Sequence, residues 1–199
     1  MLLMSGFIKD FCGYLASCGI VVLLLLRAGV CYSEVFILPE NTEIIFQYEI
    51  ALINFEGSFK IKSSIFDLDG VQPENSHFAL SFDLNESKAG FLIATKAMLS
   101  ESVLYAQKYP EITFTSKKVK YANEQFKILG DLQIRGITKI VTLFVKPIGF
   151  NPKLLNKSSS LEFHISAVID RNIFGASGYS GIVGNEIKLN SSARLIRNF

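Results

Sequence analysis

Between residues 42 and 195 the chain repeats with a period of two, the spacing that sends alternate side chains to opposite faces of a β-strand. The pattern is clearest after Pro110. In 111–116, Ile112, Phe114 and Ser116 share one face, and Glu111, Thr113 and Thr115 share the other. After the polar break 122–125, the run 126–139 sets Phe126, Ile128, Leu132 and Ile134 against Lys127, Asp131, Gln133 and Arg135. The two runs predict a hairpin.

Similar runs lie on both sides. Residues 34–41 form a short edge segment broken by Pro39. In 42–50, Ile44, Phe46, Tyr48 and Ile50 oppose Glu43, Gln47 and Glu49. From Gly57, Phe59 and Ile61 oppose Lys60 and Lys62, and the alternation becomes irregular near 65–68. In 77–84, Phe78, Leu80, Phe82 and Leu84 alternate with His77, Ala79, Ser81 and Asp83. In 139–145, Ile140, Thr142 and Phe144 form one face, although the other (Val141, Leu143, Val145) is apolar as well. Leu161, Phe163, Ile165, Ala167 and Ile169 then face away from Glu162, His164, Ser166 and Asp170. The last strand sets Ile187, Leu189 and Leu195 against Glu186, Lys188 and Arg194.

The period changes once. In 96–107, Leu99, Val103 and Ala106 recur at helical spacing, which predicts a short helix ended by Tyr109-Pro110, because the residue before proline avoids the helical region. About eight amphipathic strands and one helix predict an all-β, eight-stranded antiparallel barrel, closed so that no edge is exposed. A two-sheet sandwich is the alternative.

Composition adds a leader. Of 199 residues, 49% are hydrophobic, and the mean hydropathy is +0.33. Part of this excess sits in 1–33: Lys9, the apolar run 19–26, Arg27, then small residues up to Cys31-Tyr32-Ser33. That order is the pattern of a secretory signal peptide cut after Ser33, which predicts a periplasmic or secreted protein with its barrel in 34–199. Two other readings stay open. One is an uncleaved membrane anchor in 11–26, short for the ~30 Å hydrocarbon layer. The other is lipidation at Cys18. Cys12, Cys18 and Cys31 all lie in the leader, so 34–199 has no thiol for a disulfide or a thiolate metal site. Of 20 basic and 18 acidic residues, Lys9, Arg27 and Asp10 belong to the leader, leaving 34–199 nearly neutral. Such a balance does not steer a protein to nucleic acid.

No catalytic set emerges. His77 and His164 lie on polar strand faces without acidic or histidine partners at metal-ligand spacing. Ser177-Gly178-Tyr179-Ser180-Gly181 lacks the strand–nucleophile–helix context of a hydrolase elbow, and 175–184 lacks the Lys-Ser/Thr of a phosphate loop. No metal, cofactor or enzymatic activity is expected.

The apolar face itself is what remains. The chain has 17 phenylalanines and no tryptophan. An eight-stranded barrel either just fills itself with side chains or holds one ligand. The first reading makes the phenylalanines a packed core, and the protein a structural or interaction module of the periplasm. The second makes them the wall of a cavity without inward ionisable groups, suited to a long apolar chain. On that reading the lining comprises Ile44, Phe46, Tyr48, Phe59 and Ile61 from the first strands, and Phe78, Leu80 and Phe82 from the next. Leu99 and Val103 come from the helix, and Ile112, Phe114, Phe126, Ile128, Leu132 and Ile134 from the central hairpin. Phe144, Phe163, Ile165, Ile187 and Leu189 complete it.

Three blocks carry a resemblance. Tyr109-Pro110, Ile112-Thr113-Phe114 and Ser116, followed by Gly130-Asp131-Leu132, Ile134, 136–139 and 141–143, resemble the central signature of the YceI-like family. The blocks 169–175 with 183–189, and Thr42, Ile44 and Phe46 with Gly57-Ser58-Phe59, are similar to its last strand pair and first hairpin. The resemblance implies a lipocalin-like barrel closed by a helix, a polyisoprenoid or isoprenoid-quinone-type lipid in its pore, a bacterial envelope location and no catalysis. The membrane surface, a membrane redox or lipid protein, and a second copy of the chain are the further partners expected. The sequence departs from the family pattern at 89–96, Ala-Gly-Phe-Leu-Ile-Ala-Thr-Lys, where members carry a more polar segment, and in lacking a histidine in the first strand block. Both departures fall near the expected mouth.

Overall fold

In a computed structural model of the chain, the described residues are 33–39, 42–69, 71–149 and 157–198; the leader reading and its three cysteines lie outside them. Residues Tyr32–Phe199 form a compact unit. Its strands are β1 (Ser33–Ile37), β2 (Glu43–Ile50), β3 (Ile53–Asp69), β4 (His77–Lys88), β5 (Glu111–Ala122), β6 (Gln125–Ile134), β7 (Ile137–Ile148), β8 (Ser160–Asp170) and β9 (Glu186–Arg197), with one α-helix among the described residues, α1 (Leu92–Leu99).

The strands pair in the order β3-β2-β9-β8-β7-β6-β5-β4, and β4 returns to β3 to close the ring. All named pairings are antiparallel. Nine strands make an eight-position barrel because β1 and β2 share one position. β2 pairs with the first half of β3 and with Phe46↔Leu189 of β9. β1 takes the far end of the same slot, pairing Phe36↔Phe66 and Ile37↔Ile196. Pro39, which has no N–H for a ladder, lies between them.

Side-chain phase along the wall follows from turns and bulges. The turns after β2, β5 and β6 each hold two consecutive residues at positive φ: Ala51 and Leu52, Asn123 and Glu124, Arg135 and Gly136. These are the tight hairpin geometries whose twist matches paired strands. The run read as one strand over 126–139 therefore turns at Arg135-Gly136. Opposite residues in a ladder project to the same side, so the register Phe126↔Val145, Ile128↔Leu143 and Gly130↔Val141 sends Val141, Leu143 and Val145 inward. Phe144 lies on the outside, 38% exposed, which corrects its expected place in the lining.

A register shift between Ile61 and Ser63 likewise moves the inward phase of β3 from odd to even positions, so Phe66 and Leu68 point in. That is why 65–68 is irregular as sequence. Two glycines make room for inward rings. A Cβ on Gly57 would stand 2.3 Å from Cζ of Phe46, and one on Gly130 would stand 2.4 Å from Cζ of Phe114.

The helix also differs from its expected span. It covers Leu92–Leu99 rather than 96–107. Ser100 is extended (φ −64, ψ 163), and its hydroxyl donates to Ala97 O at 2.7 Å, ending the helix by local competition. Residues 100–109 then fold back through turns, including Leu104 N to Met98 O at 3.0 Å and Tyr105 N to Ser100 O at 2.8 Å. Leu104 and Ala106 are buried by this fold-back instead of by a helical stripe.

Candidate functional site

One end of the barrel is covered by two segments that close over the pore: 89–109, which contains α1, and the 171–185 connection between β8 and β9. Contacts with the wall and with each other hold them. Arg135, at the β6–β7 turn, donates to Glu101 O at 2.8 Å and Val103 O at 2.6 Å. Gly178 N donates to Ser102 O at 2.8 Å, and Ala51 N to Ile182 O at 2.8 Å. Thr95 fixes the entry to α1, accepting from Ala89 N at 3.0 Å and donating to Phe91 O at 3.0 Å.

Beneath this cover lies a cavity of about 210 Å3. β2 and β9 contribute Phe46, Tyr48, Ile50 and Ile187; the helical side contributes Phe91, Ile93, Ala94, Ala97, Met98 and Val103; the 178–183 loop contributes Tyr179, Ile182 and Val183. Its lining is almost wholly apolar. The Tyr48 hydroxyl is satisfied by Ala89 O at 2.8 Å, and burial pushes its pKa up, so it stays a neutral donor. The volume exceeds the about 150 Å3 of engineered apolar cavities that admit benzene.

Two smaller voids continue the interior. One of about 90 Å3 lies among Ile44, Phe59, Phe82, Ile112, Leu132, Ile134, Ile187 and Leu189. The other, about 50 Å3, lies among Phe66, Phe78, Leu80, Phe114, Phe126, Ile128, Phe163 and Ile165. Ile187 and Arg171 border both the main cavity and the 90 Å3 void. Aromatic rings run from the 90 Å3 void to the main cavity: Phe82 to Phe59 at 5.9 Å, Phe59 stacked on Phe46 at 4.3 Å, then Tyr48, Phe55 and Phe91 at successive centroid distances of 5.9, 6.0 and 5.6 Å. The covered end is hollow, and the rest is largely filled by side chains.

Arg171 departs from the expectation of an interior without ionisable groups. It is buried on the cavity wall, its Nε donating to Gly184 O at 2.9 Å, one Nη to Ala176 O and to Gly178 O at 2.8 Å, and the other to Val183 O at 3.0 Å. Desolvation lowers its pKa, and the neighbouring Asp170 carboxylate opposes that shift. A guanidinium remains charged far above neutral pH, so the cavity holds a fixed cation whose donors clamp the 176–184 backbone. Sequence reasoning missed this role, and the one available signal was a lone arginine where an apolar strand gives way to a glycine-rich loop.

The structure brings most of the expected lining residues to the interior. Ile44, Phe46, Tyr48, Phe59, Phe78, Leu80, Phe82, Val103, Ile112, Phe114, Phe126, Ile128, Leu132, Ile134, Phe163, Ile165, Ile187 and Leu189 border one of the three spaces. Ile61 and Leu99 pack against the core without bordering these spaces. Phe144 is outside. Leu143 and Val145 take the inward positions of β7 and border the smallest void. The histidines are apart, His77 Nδ1 3.3 Å from Ser116 Oγ and His164 Nδ1 3.5 Å from Ser192 Oγ. Among the described residues no cluster of three or more His, Cys, Asp or Glu side chains is placed to hold a metal ion.

A closed antiparallel barrel with a helix over one end and an apolar cavity beneath it defines a lipocalin-like class of binding barrels. The YceI-like domain matches residues 37–195, and the chain belongs to that family. Protein YceI of Escherichia coli O157:H7 is 33% identical over 93 residues, 47% of this chain and 49% of that protein, so the chain spans about half the length of the curated relatives it matches. The YceI protein of Campylobacter jejuni superposes with a TM-score of 0.64 at 25% identity, covering 74% of this chain and 86% of that one. A polyisoprenoid binding domain from Saccharophagus degradans shares the fold at a TM-score of 0.58 and 9% identity, covering 84% of this chain and all of its own.

Proposed function

We propose that this protein is a non-catalytic carrier that holds a long apolar lipid of the polyisoprenoid or isoprenoid-quinone class in its barrel, in the bacterial envelope. One observation carries the reading: the 210 Å3 space is almost wholly apolar, lies under the cover, and shares Ile187 and Arg171 with a second apolar void among aromatic rings. Membership of the YceI-like family, and the polyisoprenoid binding described for the Saccharophagus domain of like fold, support the ligand class. The 210 Å3 space is below the roughly 300–1,000 Å3 usual for ligand sites, so it holds one end of such a chain. The remainder enters as the aromatic rings turn aside, or it leaves through the mouth.

Native mass spectrometry of protein purified from a prenyl-lipid-producing host tests this. The expected result is a bound apolar mass that organic solvent releases and that is absent from Ala97→Phe, whose added ring occupies the cavity. Apo protein alone, with no uptake of added prenyl lipid, would refute it. A filled structural barrel is the second reading, favoured by the small size of the two deeper voids, and on it Ala97→Phe changes nothing.

A further inference from the structure

We propose that the covered end of the barrel is a bilayer-docking surface, through which the ligand passes between membrane and cavity without crossing water. The inference rests on the lipid-carrier reading above. Three segments meet at this end, 50–53, 89–96 and 178–183, and Lys96 is the single charged residue among them. Their apolar side chains face outward: Leu52 is 88% exposed, Ile93 76%, Leu92 69%, Ile53 62% and Ile182 58%. A soluble protein rarely gathers so many exposed large aliphatic residues at one site without a partner for them.

The position of the patch identifies the partner. Phe91, Ile93, Tyr179 and Ile182 are exposed, and they also line the 210 Å3 cavity, so the patch is the rim of its mouth. A protein partner seated there would block the cavity, whereas a bilayer opens it to the phase in which an apolar chain dissolves. α1 has the matching composition. Leu92 and Ile93 lie three to four residues before Lys96 on one exposed face, so the aliphatic side chains enter the acyl boundary while the ammonium stays at the headgroups, where an anionic lipid complements it. Leu52 adds a second sign. It holds φ +69 at the tip of a turn that favours Asn or Gly, so a position 88% exposed carries a large aliphatic side chain against local preference.

Flotation with vesicles of phosphatidylethanolamine and phosphatidylglycerol tests the proposal. The protein is residues 32–199, a compact unit whose buried core lies within 36–195, so the N-terminal apolar run cannot contribute. Leu52→Ser/Leu92→Ser, at two exposed rim residues that do not line the cavity, should lower vesicle partitioning roughly 10- to 100-fold. Ile140→Ser/Val168→Ser, on the outer wall, should leave it unchanged. Lys96→Ala should reduce binding to these vesicles and not to phosphatidylcholine. The rim variant should still load prenyl lipid from detergent and lose loading from vesicles. Wild-type protein that ignores vesicles, or a rim variant that binds as well as wild type, overturns the proposal while detergent loading leaves the carrier reading intact. A rim-dependent dimer in sedimentation, without vesicle binding, also overturns it and assigns the patch to self-association. Vesicle binding with no loading from either source removes the carrier reading and leaves the docking surface.

Discussion

Replacing Arg171 by methionine is the sharpest test of how the cavity stays roofed. The guanidinium donates to four backbone carbonyls, of Ala176, Gly178, Val183 and Gly184, and is 6% exposed. A hydrogen bond from a charged donor contributes about 1.5–3 kcal/mol net, and a thioether side chain restores none of them. Two effects limit the loss. Methionine fills much of the apolar volume without the desolvation cost of a charge, and water can reach the part-buried carbonyls of Gly178, Val183 and Gly184, although that of Ala176 is buried. The expected cost is therefore about 2–5 kcal/mol, or a Tm lowered by roughly 5–15 °C for a domain of this size. Hydrogen exchange should locate the damage. Amides within 175–185, such as Ala176 N bonded to Arg171 O at 3.2 Å and Gly178 N bonded to Ser102 O at 2.8 Å, should lose protection, while β5 and β6 keep theirs. Arg171→Lys should not rescue, because one ammonium with three donors cannot span carbonyls arranged around a planar fork. An Arg171→Met protein with wild-type Tm and unchanged exchange in this loop would refute the clamp.

The wall makes contrasting predictions. Phe126→Ala should cost about 3–5 kcal/mol in denaturant unfolding, because Phe126 is 2% exposed in the filled part of the barrel, whereas Phe144→Ala on the outer face should cost under about 1 kcal/mol. Equal costs would overturn the phase of β7. Gly130→Ala should destabilise by at least about 1–3 kcal/mol, since its Cβ would meet the Phe114 ring at 2.4 Å and Thr115 O at 2.5 Å; an alanine protein as stable as wild type would contradict that packing. The exposed Lys62–Glu111 pair sets a pH signature. Hydrogen bonds from Lys62 and then Ser81 hold the Glu111 carboxyl below its usual range, so its small contribution is present above the unfolded pKa and lost as pH falls through the lower folded value. Glu111→Gln should flatten the acid limb of the stability profile, and an unchanged limb would show that the pair contributes nothing.

Legibility in the sequence follows one rule. Alternation reports inside against outside only where the two faces differ in polarity. In β5 and β6 they do, so Ile112, Phe114, Phe126, Ile128 and Leu132 can be assigned to the interior from the sequence alone. In β7 both faces are apolar, and the decision passes to the two-residue turn at Arg135-Gly136, whose register places Val145 beside Phe126 and thereby puts Phe144 outside. Periodicity places the helix too late because Leu99, Val103 and Ala106 satisfy helical spacing and a fold-back equally well, and the deciding Ser100–Ala97 bond leaves no periodic trace.

The cavity is harder to read for a related reason. A period of two describes the barrel wall, whereas the hollow lies at one end, under two segments with no strand period. Arg171 sits where β8 stops, and its carbonyl partners follow 5 to 13 residues later, so only the closed loop turns that arginine from an ordinary surface charge into a clamp. The same limit applies to the rim. Leu52, Leu92, Ile93 and Ile182 read as ordinary apolar residues in three separate segments, and the barrel makes them one surface by bringing the β2–β3 turn, α1 and the β8–β9 loop to the same end. Periodicity thus reports the container, and chain closure determines where it opens.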